Sequence, residues 1–99
     1  MHIIKSLQRK IYKNAVEKGL WNNTSIIDVA DHIQDECDEL IYEIKSNKIF
    51  YIVRGKPCGM AIELADIVIL ALCLAEKLNI DLYEFIKIKH DYNTVRAWD

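Results

Sequence analysis

Apolar residues recur at helical spacing along most of this chain, and Gly, Asn and short polar clusters interrupt them at three places. The clearest stretch holds Ile26, Val29, Ala30, Ile33, Cys37, Leu40, Ile41 and Ile44. At about 100° per residue these fall on one stripe roughly 120° wide, which predicts an amphipathic helix from about Ser25 to Lys45. Before it, a helix is predicted from about Ile3 to Lys18, stopped by Gly19, a residue suited to a helix C-terminus. Leu20 to Thr24 then forms a loop, and Thr24 or Ser25 can cap the next helix. A third helix, about Gly59 to Leu78, is apolar on nearly every side from Ile67 onward, a pattern expected of a helix buried all round. Asn79 ends it, and Asp81 with Glu84 has the spacing of a capping box opening a fourth helix that runs to about Arg96. Between the second and third helices the pattern is ambiguous. Ile49-Phe50-Tyr51-Ile52-Val53 fits a short extended segment or an extra turn equally well, and Arg54-Gly55-Lys56-Pro57 reads as loop.

With only three Gly and one Pro, the chain has little material for a turn-rich β architecture, so the expected class is all-α. No repeat or linker divides its 99 residues, which read as a single domain, 1–99, near the lower end of what one core can stabilise. A single bundle of this size has little with which to cover both sides of the third helix. That helix is therefore expected to form an interface in an oligomer. The formal charge of −2 supplies no basic footprint for tracking phosphates, which argues against a nucleic-acid partner. Cys37, Cys58 and Cys73 form no C-x-x-C pair and leave an odd thiol, which suits a reducing cytoplasm and core packing. The opening residues lack the apolar stretch of a signal peptide. The longest apolar run, Ile67 to Ala75, is about half the length that spans a bilayer, so no membrane partner is expected.

The chemistry lies in four carboxylates. Glu36 and Glu39, three residues apart, share one helix face just past the edge of the apolar stripe, where a side chain looks toward a neighbouring helix. Glu63 and Asp66 repeat that spacing on the most apolar helix, with no Lys or Arg between Pro57 and Glu76 to offset them. Buried, unpaired carboxylates cost several kcal/mol each, on the order of magnitude known for buried ions. A hard divalent cation, Mg²⁺ or Mn²⁺ in its place, relieves that cost through oxygen ligands and keeps waters for substrate phosphates. Asp28, Asp31 and Asp38 read instead as a solvated acidic face. A ferritin-like di-iron centre needs Glu-x-x-His pairs, and neither pair here has a His in second place. Arg54 and Lys56, on a Gly-Pro loop, are candidate mobile cations over phosphates or simply surface charges.

Asp35-Glu36-x-x-Glu39, a gap of 23 residues, then Glu63-Leu64-Ala65-Asp66 resembles the motif pair of the MazG-like all-α nucleoside triphosphate pyrophosphohydrolases. Asn14 to Trp21 resembles that family's first-helix ending, Gly55 to Gly59 its entry to the third helix, and Lys89-x-x-Tyr92-Asn93-x-x-Arg96 its last helix. These matches cover most of the chain, in order. Asp35 stands where the family often has Glu, and the chain ends Arg96-Ala97-Trp98-Asp99 without the family's Arg-Pro and His-Gly. The resemblance implies a four-helix fold, dimeric or tetrameric, with Mg²⁺ on Glu36, Glu39, Glu63 and Asp66. It implies hydrolysis of an NTP or dNTP to the monophosphate and pyrophosphate, as in nucleotide-pool housecleaning. Glu36 or Glu39 would be the base, and Lys89 would offset leaving-group charge. Lys89, Asn93 and Arg96, one face of the last helix, would bind phosphate with Arg54 and Lys56, and Trp21 would stack on the base. Two other readings stay open: a non-catalytic nucleotide-binding or regulatory helical oligomer, and a phosphoribosyl-ATP pyrophosphatase-like enzyme.

Overall fold

The computed structural model describes residues 2–19 and 23–96. It is predominantly helical: α1 (Ile3–Glu17), α2 (Ile26–Lys45), α3 (Met60–Lys77) and α4 (Leu82–Val95), with a hairpin of β1 (Tyr51–Val53) and β2 (Lys56–Cys58) between α2 and α3. No helix among the described residues is long and apolar enough to cross a membrane.

The helix ends follow local chemistry. Ser25 caps α2 in a reciprocal box: its hydroxyl accepts the Asp28 amide, and Asp28 accepts the Ser25 amide, both at 3.2 Å. Asp28, exposed as expected, is also a capping residue, and hydrogen bonds from the Ser25 amide and then the Ser25 hydroxyl hold its carboxyl below its ordinary range. α2 and α3 stop at Asn47 and Asn79, both at positive φ (55° and 57°). In each case the amide of that Asn and the one after it turn back to carbonyls of the last turn, as a Schellman ending requires. The box expected at Asp81 and Glu84 does not form. Asp81 lies 3.8 Å from Lys5 and Glu84 3.5 Å from Lys87, so both carboxylates are drawn to lysines. The first amide of α4, Leu82, is instead accepted by the fully buried Gln8 of α1 at 3.4 Å. Gln8 also donates to Glu76 (2.9 Å) and to the Ile80 carbonyl (2.8 Å), tying α1 to the α3–α4 turn.

The ambiguous segment resolves as extended. Tyr51 pairs with Cys58 and Val53 with Lys56 across a two-residue turn, so Lys56 and Pro57 belong to a strand and only Arg54 and Gly55 to the loop. Both turn residues have positive φ (51° and 80°), as the commonest tight hairpins demand. Gly59 then starts α3 at φ 109°, and a Cβ there would overlap the Ile49 carbonyl. That carbonyl and the one before it accept the Ala61 and Met60 amides at 3.0 Å, joining the root of the hairpin to the N-terminus of α3.

α3 is the central element, packed most extensively on α2 and next on α1, while α4 lies against α1. Leu72, Cys73 and Ala75 of α3 close over Val29 and Ala15 as the core. The single chain does not bury α3 all round, however: Leu64 and Val68 remain 53% and 55% exposed, with Phe85 and Ile86 of α4 also uncovered. The accessible surface is 7443 Å², against about 5,800 Å² for a compact chain of this mass. The radius of gyration, 15.4 Å, likewise exceeds the roughly 12.6 Å of a compact domain this long.

Candidate metal centre

Packing α2 on α3 brings the two carboxylate pairs together. One oxygen from each of Glu36, Glu39 and Glu63 lies within 4.8 Å of the others. Asp66, one helical turn beyond Glu63, lines the same cleft of about 610 Å³. Glu36, Glu63 and Asp66 are half-buried and Glu39 is exposed, so the group forms a wall of the cleft with one open side.

The electrostatics are those of charges held together against their preference. Burial first, then a hydrogen bond with Glu63, then the charges of Glu39, Asp66 and Glu63 push Glu36 up to about 8. Burial first raises Glu63 as well, a hydrogen bond with Glu36 opposing it and Glu39 and Asp66 adding to it. Asp66 is raised by burial and by Glu39, while Lys56 pulls it the other way. Oε2 of Glu36 and Oε2 of Glu63 are each buried with no hydrogen-bond partner. Buried acceptors are ordinarily satisfied, and such orphans mark where a donor or a cation belongs. Oxygen donors alone, partly buried and convergent, are the set that a hard divalent cation takes.

Glu36 and Asp66 also line a second, smaller cleft of about 270 Å³. Its walls are Ile11, Ala15, Leu70 and Cys73, with Asn14 and His32 supplying polar edges. The carboxylates therefore stand between an acidic cleft under the hairpin and a mainly apolar one against α1.

The other expected site residues are dispersed. Lys56 lines the acidic cleft, whereas Arg54, exposed at the hairpin turn, does not. Lys89, Asn93 and Arg96 stand on or just after α4 and line neither of these clefts. Lys89 and Arg96 lie over the Tyr92 ring at 5.0 and 5.8 Å, and the half-buried Asn93 has an unpartnered Oδ1. Trp21 lies outside the described residues.

Sequence reasoning missed three residues here. Asp38 is exposed, as expected of it, yet lines the cleft. Glu43 lines it too, is only 7% exposed, and accepts the Tyr51 hydroxyl at 2.8 Å. That bond first, and burial second, push Tyr51 up to about 12. Glu43 was within reach of pattern reading, because it follows Glu39 by four residues and Glu36 by seven on the same helix face. Tyr51 was not, because the conformation of its segment was ambiguous.

No protein-family model, curated protein or solved structure matches the chain.

Proposed function

We propose that this protein is a Mg²⁺-dependent nucleoside triphosphate pyrophosphohydrolase of the MazG-like kind. The observation that carries this reading is the convergence of Glu36, Glu39 and Glu63 within 4.8 Å, with Asp66 beside them and two buried oxygens left without partners. In it these four residues hold the metal, Mn²⁺ being an acceptable substitute. The bound ion supplies neutralisation of phosphate oxygens and a lowered pKa for a bound water. With an ion held there, Glu36 or Glu39 would serve as general base toward the attacking water. Lys56, the one Lys or Arg among the described residues lining the acidic cleft, offsets charge on the phosphate chain. The mainly apolar cleft beyond Glu36 and Asp66 takes the nucleoside, its walls suited to a base and its Asn14 and His32 edges to polar groups.

The same reading makes the protein a homodimer or homotetramer. The surface in excess of a compact chain, about 1,600 Å² per protomer, is roughly twice the ~800 Å² each partner gives to a standard interface and on the scale of obligate homodimers. Its apolar part includes Leu64 and Val68 of α3 and Ile86 of α4. In this arrangement the phosphate contacts of Lys89, Asn93 and Arg96 are made from α4 of a neighbouring protomer. Light scattering at micromolar concentration should return a multiple of the 11.6 kDa chain mass. A value near the chain mass across that range would contradict the assembly.

The decisive test of the chemistry is which bond breaks. Purified protein with Mg²⁺ and a panel of ribo- and deoxynucleoside triphosphates should yield monophosphate and pyrophosphate in equal amounts by chromatography. Diphosphate and orthophosphate as first products would refute the assignment. Nucleotide binding without any product would favour the non-catalytic reading.

A further inference from the structure

We propose that Glu43 is a positioning residue: by accepting the Tyr51 hydroxyl it docks the β1–β2 hairpin on α2 and holds Lys56 at the cleft to meet substrate phosphates. This role rests on the pyrophosphohydrolase reading, and it adds to that reading the reason why the hairpin's cation is in place.

Two three-residue strands are too short to hold a conformation alone. The hairpin also has little apolar anchoring, with Ile52 and Val53 exposed. Its attachments are the two amides of α3 that bind its root, the packing of β2 on α3, and the Tyr51–Glu43 bond. Among the described residues, that bond is a direct side-chain tie from the hairpin to α2, the helix that carries Glu36 and Glu39. The strand register carries that tie to the cleft. Tyr51 faces Cys58 and Val53 faces Lys56, so all four side chains leave the same face of the ribbon. Pinning Tyr51 therefore sets where Lys56 lies, two residues along the partner strand. Glu43 stands one helical turn past Glu39 and two past Glu36, so the hairpin docks in line with the carboxylate row.

The choice of residue supports the role. Glu43 is more than nine-tenths buried, and its second oxygen has no partner, although packing alone would be served better by an apolar side chain. What a carboxylate adds is a charge-assisted hydrogen bond, roughly twice as strong as a neutral one. At 2.8 Å that bond has the ordinary length of a hydroxyl hydrogen bond, and the Lys48 ammonium lies 5.0 Å from the Tyr51 ring, further confining it. At the far end of the relay the Lys56 charge acts on Asp66.

The test is calorimetric binding of inorganic triphosphate in the presence of Mg²⁺. It compares the wild type with Tyr51→Phe, Lys56→Met, the double variant, Glu43→Ala and Glu43→Gln. Lys56→Met should weaken affinity about tenfold and Tyr51→Phe about fivefold, while the double variant should be no more than about twofold weaker than Lys56→Met, because coupled residues are not additive. Glu43→Ala should behave as Tyr51→Phe, and Glu43→Gln, which keeps an acceptor for the hydroxyl, should stay within about threefold of the wild type. A double variant weakened by the product of the two single effects would overturn the role, as would Tyr51→Phe at wild-type affinity. Either result with a binding wild type leaves the pyrophosphohydrolase reading standing. A wild type that binds no triphosphate with Mg²⁺ would overturn that reading and this role together.

Discussion

Replacing Glu63 by Gln should cut triphosphate turnover on the order of 10³-fold, the upper range for removing one preorganised charge from an active site. The substitution keeps the side chain's shape but removes a ligand charge from the centre of the group, since Glu63 is close to both Glu36 and Glu39. It should not unfold the protein. In the metal-free chain it relieves repulsion among carboxylates, so the thermal midpoint without metal should stay level or rise. What should disappear is stabilisation by the ion. A site filled at one hundred times its dissociation constant stabilises the fold by about 2.7 kcal/mol, and the variant should lose most of that. Calorimetric melting with and without millimolar Mg²⁺, beside turnover, separates the two effects. Full activity together with an undiminished metal-dependent midpoint would remove Glu63 from the site.

Metal dependence should also grow steeply with pH. In the metal-free protein Glu36 is pushed up to about 8 from an ordinary 4.5, mainly by burial, and Glu63 and Asp66 are raised in the same direction. The folded chain therefore binds protons more tightly than the unfolded one. The resulting stability is fully present below about pH 4.5 and is lost as pH rises toward about 8. A cation replaces the proton, so it should bind more tightly, with proton release, across the same window. The gap between metal-loaded and metal-free melting midpoints should thus be small near pH 5 and widest near pH 8. Asp28, with its depressed carboxyl, titrates only below its ordinary 3.8, and the raised Tyr51 hydroxyl only above its ordinary 10, so the stability each adds is constant across that range and leaves the midpoint gap unchanged. A midpoint gap that is equal at pH 5 and pH 8 would mean that the raised carboxylates are not the metal's ligands.

Both expectations begin in features that can be read one helix at a time. The periodicity of α2, the stops at Gly19 and Asn79, a cap at Thr24 or Ser25 and the spacing of Glu36 with Glu39 and of Glu63 with Asp66 act over three or four residues, and the sequence alone determined them. A helical turn brings those neighbours together whatever the rest of the chain does. Where two local solutions competed, tertiary contacts chose. Asp81 went to Lys5 instead of capping α4, and the first amide of α4 is accepted by Gln8, 74 residues away. The ambiguous segment became a strand because its root is held at the start of α3 and Tyr51 has a buried acceptor in Glu43. Only packing could decide that the two carboxylate pairs converge, that Lys56 joins them while Lys89 and Asn93 line neither cleft, and that Leu64 and Val68 stay uncovered. Hydrophobic patterning states which face of a helix seeks cover, but the covering surface is set by how the helices cross, and in this chain part of α3 still lacks it.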